Sequence, residues 1–299
     1  MKILITGSTG LIGSALVDHF ELWGDHVTRL VRRTPQSKNE ITWQPDKKEI
    51  VPSQLEGFDV IIHLAGVNVA GKRWNEKQKE IIRNSRVEGT QLLCQTLAHL
   101  QHPPKLLISA SAIGIYGHRG DEILTEDASS GDDFLSHVCQ EWEEATAPAI
   151  EKGIRVVHLR TGVVLASAGG ALAKMLLPFQ CGAGGVIGSG KQFWSWVTLI
   201  DFVGIVQHLI DTESLSGPVN AVAPHPVTNK EFTKTLGKVL HRPTIFPMPA
   251  FVARILFGEM AESLLLASTN VQPQRLQESG YEFLYPKLKE GIRAALKKP

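Results

Sequence analysis

Three glycines three residues apart, Gly7, Gly10 and Gly13, lie in the stretch Gly7-Ser8-Thr9-Gly10-Leu11-Ile12-Gly13, directly after the apolar run Lys2–Thr6. An amphipathic stretch follows, with Ile12, Leu16, Phe20 and Trp23 on one helical face. In that context the first glycine permits a tight turn, the second lets backbone approach a pyrophosphate, and the third lets helix and strand pack closely. The helix N-terminus adds free N–H groups and positive dipole for the anion. The other reading is a strand–turn–helix corner that uses glycine for geometry alone. About twenty residues further on, a site built for NAD carries Asp or Glu to accept from the ribose 2′-hydroxyl. This chain has Val31-Arg32-Arg33 instead. Two guanidiniums suit a 2′-phosphate, through charge-assisted hydrogen bonds, where an acid would repel it. NADP(H) is therefore the expected cofactor, ahead of NAD. Arg32, nearer the strand end, is its first expected contact and Arg33 its second, unless the two are simply solvated charges.

These residues need a sheet to carry them. Short apolar runs at Lys2–Thr6, His26–Val31, Val60–His63, Lys105–Ser109, Arg155–Arg160 and Val219–Val222 alternate with helical stretches. The helices are expected at Leu11–Trp23, Asn75–Leu100 (opened by a capping pair, Asn75 and Gln78), Asp133–Lys152 and Ile200–Thr212. The pattern predicts an α/β fold, a Rossmann-like doubly wound parallel sheet with a smaller, mainly helical C-terminal lobe on the substrate side. Residues 1–167 are assigned to the nucleotide domain, whose sheet also receives later segments from about 198–225. Residues 168–197 and 226–299 are assigned to the lobe. Glycines thicken from Gly169 to Gly190, in a loop that either merely connects or is shaped around a ligand.

With 43% apolar and 20% charged residues the 299-residue chain is globular, not disordered. Lys plus Arg number 31 against 30 Asp plus Glu, which leaves no basic stripe for nucleic acid. No apolar run reaches the roughly 18 residues of a membrane span, and the opening turns glycine-rich before a signal-peptide core forms. A cytoplasmic protein with neither nucleic acid nor membrane as partner is expected. Cys94, Cys139 and Cys181 show no Cys-x-x-Cys spacing, so they are read as structural and no metal is expected.

Thr6-Gly7-Ser8-Thr9-Gly10-Leu11-Ile12-Gly13, His63-Leu64-Ala65-Gly66 and Ser109-Ala110-Ser111-Ala112 leading to Tyr116-Gly117 resemble the extended short-chain dehydrogenase/reductases. A longer likeness is to an atypical branch, the sugar-nucleotide-epimerase-like or epimerase family. It is carried by Asn84-Ser85-Arg86-Val87-Glu88-Gly89-Thr90, Leu159-Arg160-Thr161-Gly162-Val163-Val164-Leu165 and Ile187-Gly188-Ser189-Gly190-Lys191-Gln192. Pro249-Ala250-Phe251 through Met260, with Tyr285-Pro286-Lys287-Leu288, is similar to that branch's terminal domain, so the resemblance covers essentially the whole chain. It implies an NADP(H)-dependent oxidoreductase or epimerase acting on a small polar or nucleotide-sugar-like substrate. It also implies that Leu64, Ala65 and Gly66 line the cofactor, with Ser109 beside them. Arg86 stands where extended members usually carry Asn, and is expected to reach a cofactor phosphate, or else to bridge a neighbouring Glu. Arg160, at a strand's carboxyl end, is an anchor for either ligand. The helices at 75–100 and 133–152 correspond to those that pair in many dimeric relatives, so a homodimer is expected by fold analogy.

In these reductases a Tyr relays the substrate proton, and a Lys four residues later on the same helix face lowers its pKa. The stretch that should carry them, Asp133 to Trp142, holds neither residue; if Leu135 takes the Tyr place, Cys139 takes the Lys place. Ser111, the best match to the family's substrate-orienting Ser, is then a catalytic candidate with Tyr116 and His137. His63 is read as packing at a strand end. Tyr285 and Lys289 match the motif by letter alone, since Pro286 follows the Tyr directly. Lys191, Gln192, Trp194 and Trp196 are expected either as a substrate wall or as packing under the lobe. A fold that keeps NADP(H) as a sensor after losing its reaction is the competing expectation.

Overall fold

The computed structural model describes residues 1–297. In chain order the first elements are β1 (Lys2–Thr6), α1 (Leu11–Leu22), β2 (His26–Val31), β3 (Glu40–Thr42), β4 (Val60–His63), α2 (Glu76–Ala98), β5 (Leu106–Ala112), β6 (Ile123–Leu124), α3 (Phe134–Glu144), α4 (Ala147–Glu151) and β7 (Arg155–Thr161). There follow β8 (Val163–Leu165), α5 (Gly170–Gln180), β9 (Phe193–Trp194), β10 (Trp196–Thr198), α6 (Leu199–Asp211) and β11 (Gly217–Ala221). The chain ends with β12 (Val227–Thr228), α7 (Asn229–Leu240), α8 (Ala250–Phe257), α9 (Glu259–Ala261), β13 (Asn270–Val271), α10 (Gln274–Glu278) and α11 (Leu288–Leu296). Seven strands form one sheet in the order β11-β7-β5-β4-β1-β2-β3. The pairs from β3 to β5 are parallel, with Ile3 against Val27 and Val60, and Val60 against Leu106. This is the doubly wound, Rossmann-like architecture that the alternating pattern predicts.

Most elements fall where their residues dictate. The Asn75 side chain accepts the Gln78 N–H at 2.8 Å and starts α2. The single helix expected over 133–152 is two, α3 and α4. Pro148 has no N–H to continue the ladder, and the Thr146 hydroxyl donates to the Glu143 carbonyl at 2.7 Å, which draws the chain into a turn.

The chain divides into two compact units. The first comprises Met1–Ser111, Val138–Leu159 and Val206–Pro218. Its core packs Leu4, Leu30, Trp43, Ile61, Leu93, Leu97 and Leu107, all at most 2% exposed. The second comprises Ala112–His137, Arg160–Ile205 and Val219–Pro299, around Trp194, Trp196, Phe232, Leu236 and Ile292. Residues 112–137, expected in the nucleotide domain, belong to this second unit. They are tied there by β6 pairing with β13 and by a buried network in which Tyr116 Oη donates to Asn220 and accepts from Arg160.

One buried chain of hydrogen bonds in the first unit fixes the ends of β1 and β4. Thr6 Oγ1 accepts the backbone N–H groups of Leu64 and Ala65, at 3.0 and 3.1 Å, so its own proton goes to His63 Nδ1 at 2.8 Å. His63 then carries its proton on Nε2 and donates it to Thr90 Oγ1, which also accepts the Trp142 indole N–H. His63 is fully buried and structural, as expected, and burial pushes its imidazole down to about 4. A depressed histidine stabilises the fold above its unfolded pKa and withdraws that contribution as pH falls through the folded value. Lowering pH from 7 to about 4.5 is expected to cost roughly 2–3 kcal/mol through this one group, at about 1.4 kcal/mol per unit. Urea unfolding of the parent and His63→Gln at both pH values measures it: the parent should lose that much more than the variant, and parallel losses would contradict it.

Candidate functional site

At the end of β1 the chain turns at Gly7, whose φ of +66° lies in the left-handed region. A Cβ there would stand 2.9 Å from the Leu64 carbonyl, and one on Gly13 would stand 2.2 Å from the Gly7 oxygen. No side chain fits at either position. The turn closes with the Gly10 N–H on Gly7 O at 3.0 Å, and α1 begins with Gly10 as an uncapped N-cap and no acid in its first turn. The N–H groups of Leu11, Ile12 and Gly13 therefore have no partner among the described residues and carry the positive end of the helix dipole. Thr9 and Gly10 are exposed, and Ser8 is buried beneath them. A cradle whose Gly7 and Gly13 admit no Cβ, with three donors unpaired among the described residues, fits a dinucleotide's pyrophosphate.

The end of β2 separates the two arginines. Arg33 is held by Glu40, with its guanidinium nitrogens 2.9 and 2.6 Å from the two carboxylate oxygens. Arg32 is exposed and makes no hydrogen bond or ion pair among the described residues. The preference for Arg32 over Arg33 thus acquires a reason: Arg33 already has a carboxylate.

Beyond β4, Leu64 and Ala65 are half-buried and Gly66 is exposed. Arg86, on α2, lies behind this loop, and a Cβ on Gly66 would come within 3.3 Å of its guanidinium carbon. Arg86 Nη2 donates to Val67 O at 3.0 Å, Nη1 to Ile82 O at 3.0 Å, and the plane sits 5.1 Å from the Trp142 ring centre. Ser85 Oγ meanwhile accepts the Val67 N–H at 3.2 Å. The expected Glu bridge is not what holds Arg86; carbonyls and an aromatic face are. Burial lowers its pKa from the ordinary arginine value, although it stays cationic. The stretch around Ser85 and Arg86 pins both backbone groups of Val67, and so fixes the Leu64–Gly66 loop.

Ser109 corrects an expectation. It lies inside β5 opposite His63, 1% exposed, with its hydroxyl unpartnered and closed off, so it floors the loop and presents no surface to a cofactor.

In the second unit a cavity of about 560 Å³ is lined by residues including His118, Asp133, Ser189, Gln192, Arg254 and Glu259. Of the four residues expected as a substrate wall, Gln192 lines it. Trp194 and Trp196, 7% and 0% exposed, are core, while Lys191 is exposed. The glycine-rich loop reaches the cavity through Gly188 and Ser189. Among the described residues no group of three His, Cys, Asp or Glu is placed to hold a metal ion, and no helix is long and apolar enough to cross a membrane.

The model of the NAD dependent epimerase/dehydratase family matches residues 3–219, which include the cradle, the Leu64–Gly66 loop and Arg86. The chain belongs to that family. A second model, a domain of unknown function called DUF1731, matches residues 248–295. Epimerase family protein Mb2239 of Mycobacterium bovis is 40% identical over 99% of this chain and 98% of its own. The crystal structure of human epimerase family protein SDR39U1 (isoform 2) with NADPH has 34% identity and a TM-score of 0.91, covering 99% of both chains. A nucleoside-diphosphate sugar epimerase from Corynebacterium glutamicum has 39% identity and a TM-score of 0.83, covering 99% of this chain and 58% of that one.

Leu135 and Cys139, the residues expected at the Tyr and Lys places, are 9% and 4% exposed on α3. The same helix face one turn further carries Glu143. Ser111, 3% exposed, donates its hydroxyl to Glu143 Oε1 at 2.7 Å, and Glu143 Oε2 faces His158 Nδ1 at 3.7 Å. Thr146 has spent its proton on the Glu143 carbonyl, so at 2.8 Å it accepts from His158 Nε2. Glu143 and His158 were missed in the sequence because nothing local marks them; only the 135/139/143 spacing pointed that way. Tyr116 is corrected as a catalytic candidate. It is fully buried, its hydroxyl has Asn220 and Arg160 as partners at 2.7 and 3.0 Å, and burial raises its pKa. Arg160, 8% exposed, gives Nη1 to Tyr116 and to Glu126 O. His137 is exposed on α3, with no side-chain hydrogen bond among the described residues. Tyr285 precedes α11, which begins at Leu288, so Tyr285 and Lys289 share no helix face.

Gly13→Ala is expected to destabilise the fold by at least about 2 kcal/mol, because the new methyl meets main chain that cannot withdraw. Denaturant midpoints check this, and an unchanged midpoint would contradict the close approach.

Proposed function

We propose that the protein binds NADP(H) on the β1–α1 turn and catalyses hydride transfer on a small polar substrate, as an atypical reductase or epimerase with Ser111 and Glu143 in place of the Tyr–Lys dyad. The observation that carries the reading is the three-donor cradle beside an exposed, unpartnered Arg32, with no acid at the end of β2 to hold a 2′-hydroxyl. The NADPH held by the human relative supports it. In the cradle, Leu11, Ile12 and Gly13 would donate to the pyrophosphate, Arg32 to the 2′-phosphate, and Arg86 would place fixed positive charge behind the Leu64–Gly66 loop. The bound nicotinamide supplies or accepts the hydride. On oxidation Ser111 Oγ takes the substrate hydroxyl proton as its own passes to Glu143 Oε1, and on reduction both transfers reverse.

The second reading, a cofactor-sensing module without turnover, is favoured by the buried Leu135 and Cys139 where the dyad's Tyr and Lys are expected. Turnover separates the two. Purified protein with NADPH and a panel of carbonyl compounds and sugars should oxidise the cofactor or yield epimers. Ser111→Ala and Glu143→Gln should each lower kcat by about 10²–10⁴ without changing the NADPH dissociation constant. Firm NADPH binding with silence across the panel would favour the sensor.

Arg32→Ala is expected to weaken NADPH roughly 10-fold or more and to leave NADH unchanged, since charge-assisted hydrogen bonds are worth about 1.5–3 kcal/mol. Fluorescence titration with both cofactors measures it. Equal weakening of the two would contradict a 2′-phosphate contact.

A further inference from the structure

The cavity in the second unit carries a charge pattern of its own. Gln192 is 94% buried by residue (6% exposed), and its amide nitrogen donates to Ile187 O at 2.9 Å and Leu265 O at 3.1 Å. Those two carbonyls fix the amide's orientation and leave Oε1, the acceptor end, with no hydrogen bond while the side chain lines the cavity. Asp133 accepts the Ser136 N–H and hydroxyl on Oδ1, at 2.8 and 3.0 Å, as the cap of α3, and its Oδ2 has no hydrogen-bond partner among the described residues. Glu259 and Glu262 add two carboxylates to the lining. Arg254, the one guanidinium among the described lining residues, is bound to Glu262. His118 accepts the Ser268 N–H on Nδ1 at 2.9 Å, which leaves Nε2–H as the ring's donor.

The lining therefore offers acceptors and negative charge, with a few neutral donors. A diphosphate needs the opposite, guanidinium or ammonium groups without carboxylate partners. We infer that this cavity binds a small, non-phosphorylated polyhydroxy amine, its ammonium received by Asp133 Oδ2 and a hydroxyl or N–H by Gln192 Oε1. A volume of about 560 Å³ accommodates such a molecule. As an assignment of the substrate this rests on the reductase reading; as an assignment of a binding site it does not. It departs from the nucleoside-diphosphate sugar named for the Corynebacterium glutamicum relative.

Glucosamine, glucose and UDP-glucose, titrated by calorimetry into the full-length protein saturated with NADPH, test the inference at neutral pH. Glucosamine is expected to bind at least tenfold more tightly than glucose, with UDP-glucose weakest. Asp133→Asn keeps an oxygen to cap α3 but removes the charge, so it should cut glucosamine affinity about tenfold and leave both glucose affinity and the melting temperature unchanged. Tightest binding by UDP-glucose, no binding of glucosamine, or an unchanged glucosamine affinity in Asp133→Asn would overturn the inference. Glucosamine binding in a protein that fails to bind NADPH would defeat the reductase reading while leaving the cavity's ligand in place.

Discussion

Everything at the nucleotide end depends on how closely backbone passes backbone where β1 turns into α1. With a Cβ on Gly13 only 2.2 Å from the Gly7 oxygen, and one on Gly7 only 2.9 Å from the Leu64 carbonyl, three segments of main chain meet where no other residue fits. That approach brings the N-terminus of α1 beside the end of β4 and leaves the first helical N–H groups without protein acceptors. A protein that strands donors in this way leaves them to water or to an anion, and the dipole favours the anion. The Thr6, His63, Thr90 and Trp142 chain, buried and satisfied link by link, stops the strand ends from shifting to relieve the crowding.

Charge placement is the second organising constraint. Arg33 is neutralised by Glu40, Arg86 is spent partly on loop carbonyls and an indole face, and Arg32 alone at the end of β2 stays in solvent without a carboxylate. The positive groups of the first unit are thus graded from committed to available. In the second unit the cavity lining reverses the balance, with carboxylates outnumbering a guanidinium that is itself paired. The two units thus present opposite chemistries, unpaired donors and positive charge in one and acceptors with carboxylates in the other.

The sheet was legible in the sequence because buried parallel strands read as short apolar runs; β1, β2 and β4 fall on the very residues expected. The cradle was legible because its chemistry is local, three glycines within seven residues. What stayed hidden depends on distant partners. β6, β8, β9, β10, β12 and β13 are two or three residues long and exist only by pairing across the chain, too short to leave a periodic signal. Tyr116 read as a candidate acid because its sequence context gives no sign of Asn220, 104 residues on, to which it is bonded. For Trp194 and Trp196 the sequence left a ligand wall and packing under the lobe equally open, because aromatic residues serve cores and binding sites equally well. Ser111 stands out in the sequence by its motif, whereas Glu143, to which its hydroxyl donates, carries no motif at all.

Amide hydrogen exchange at the β1–α1 turn tests the central claim most directly. With NADPH added, the amides of Leu11, Ile12 and Gly13 should slow markedly, because their unpartnered N–H groups would then be hydrogen-bonded to the pyrophosphate. If those three amides exchange at the same rate with saturating NADPH as without it, the cofactor does not sit on this turn and the functional account fails.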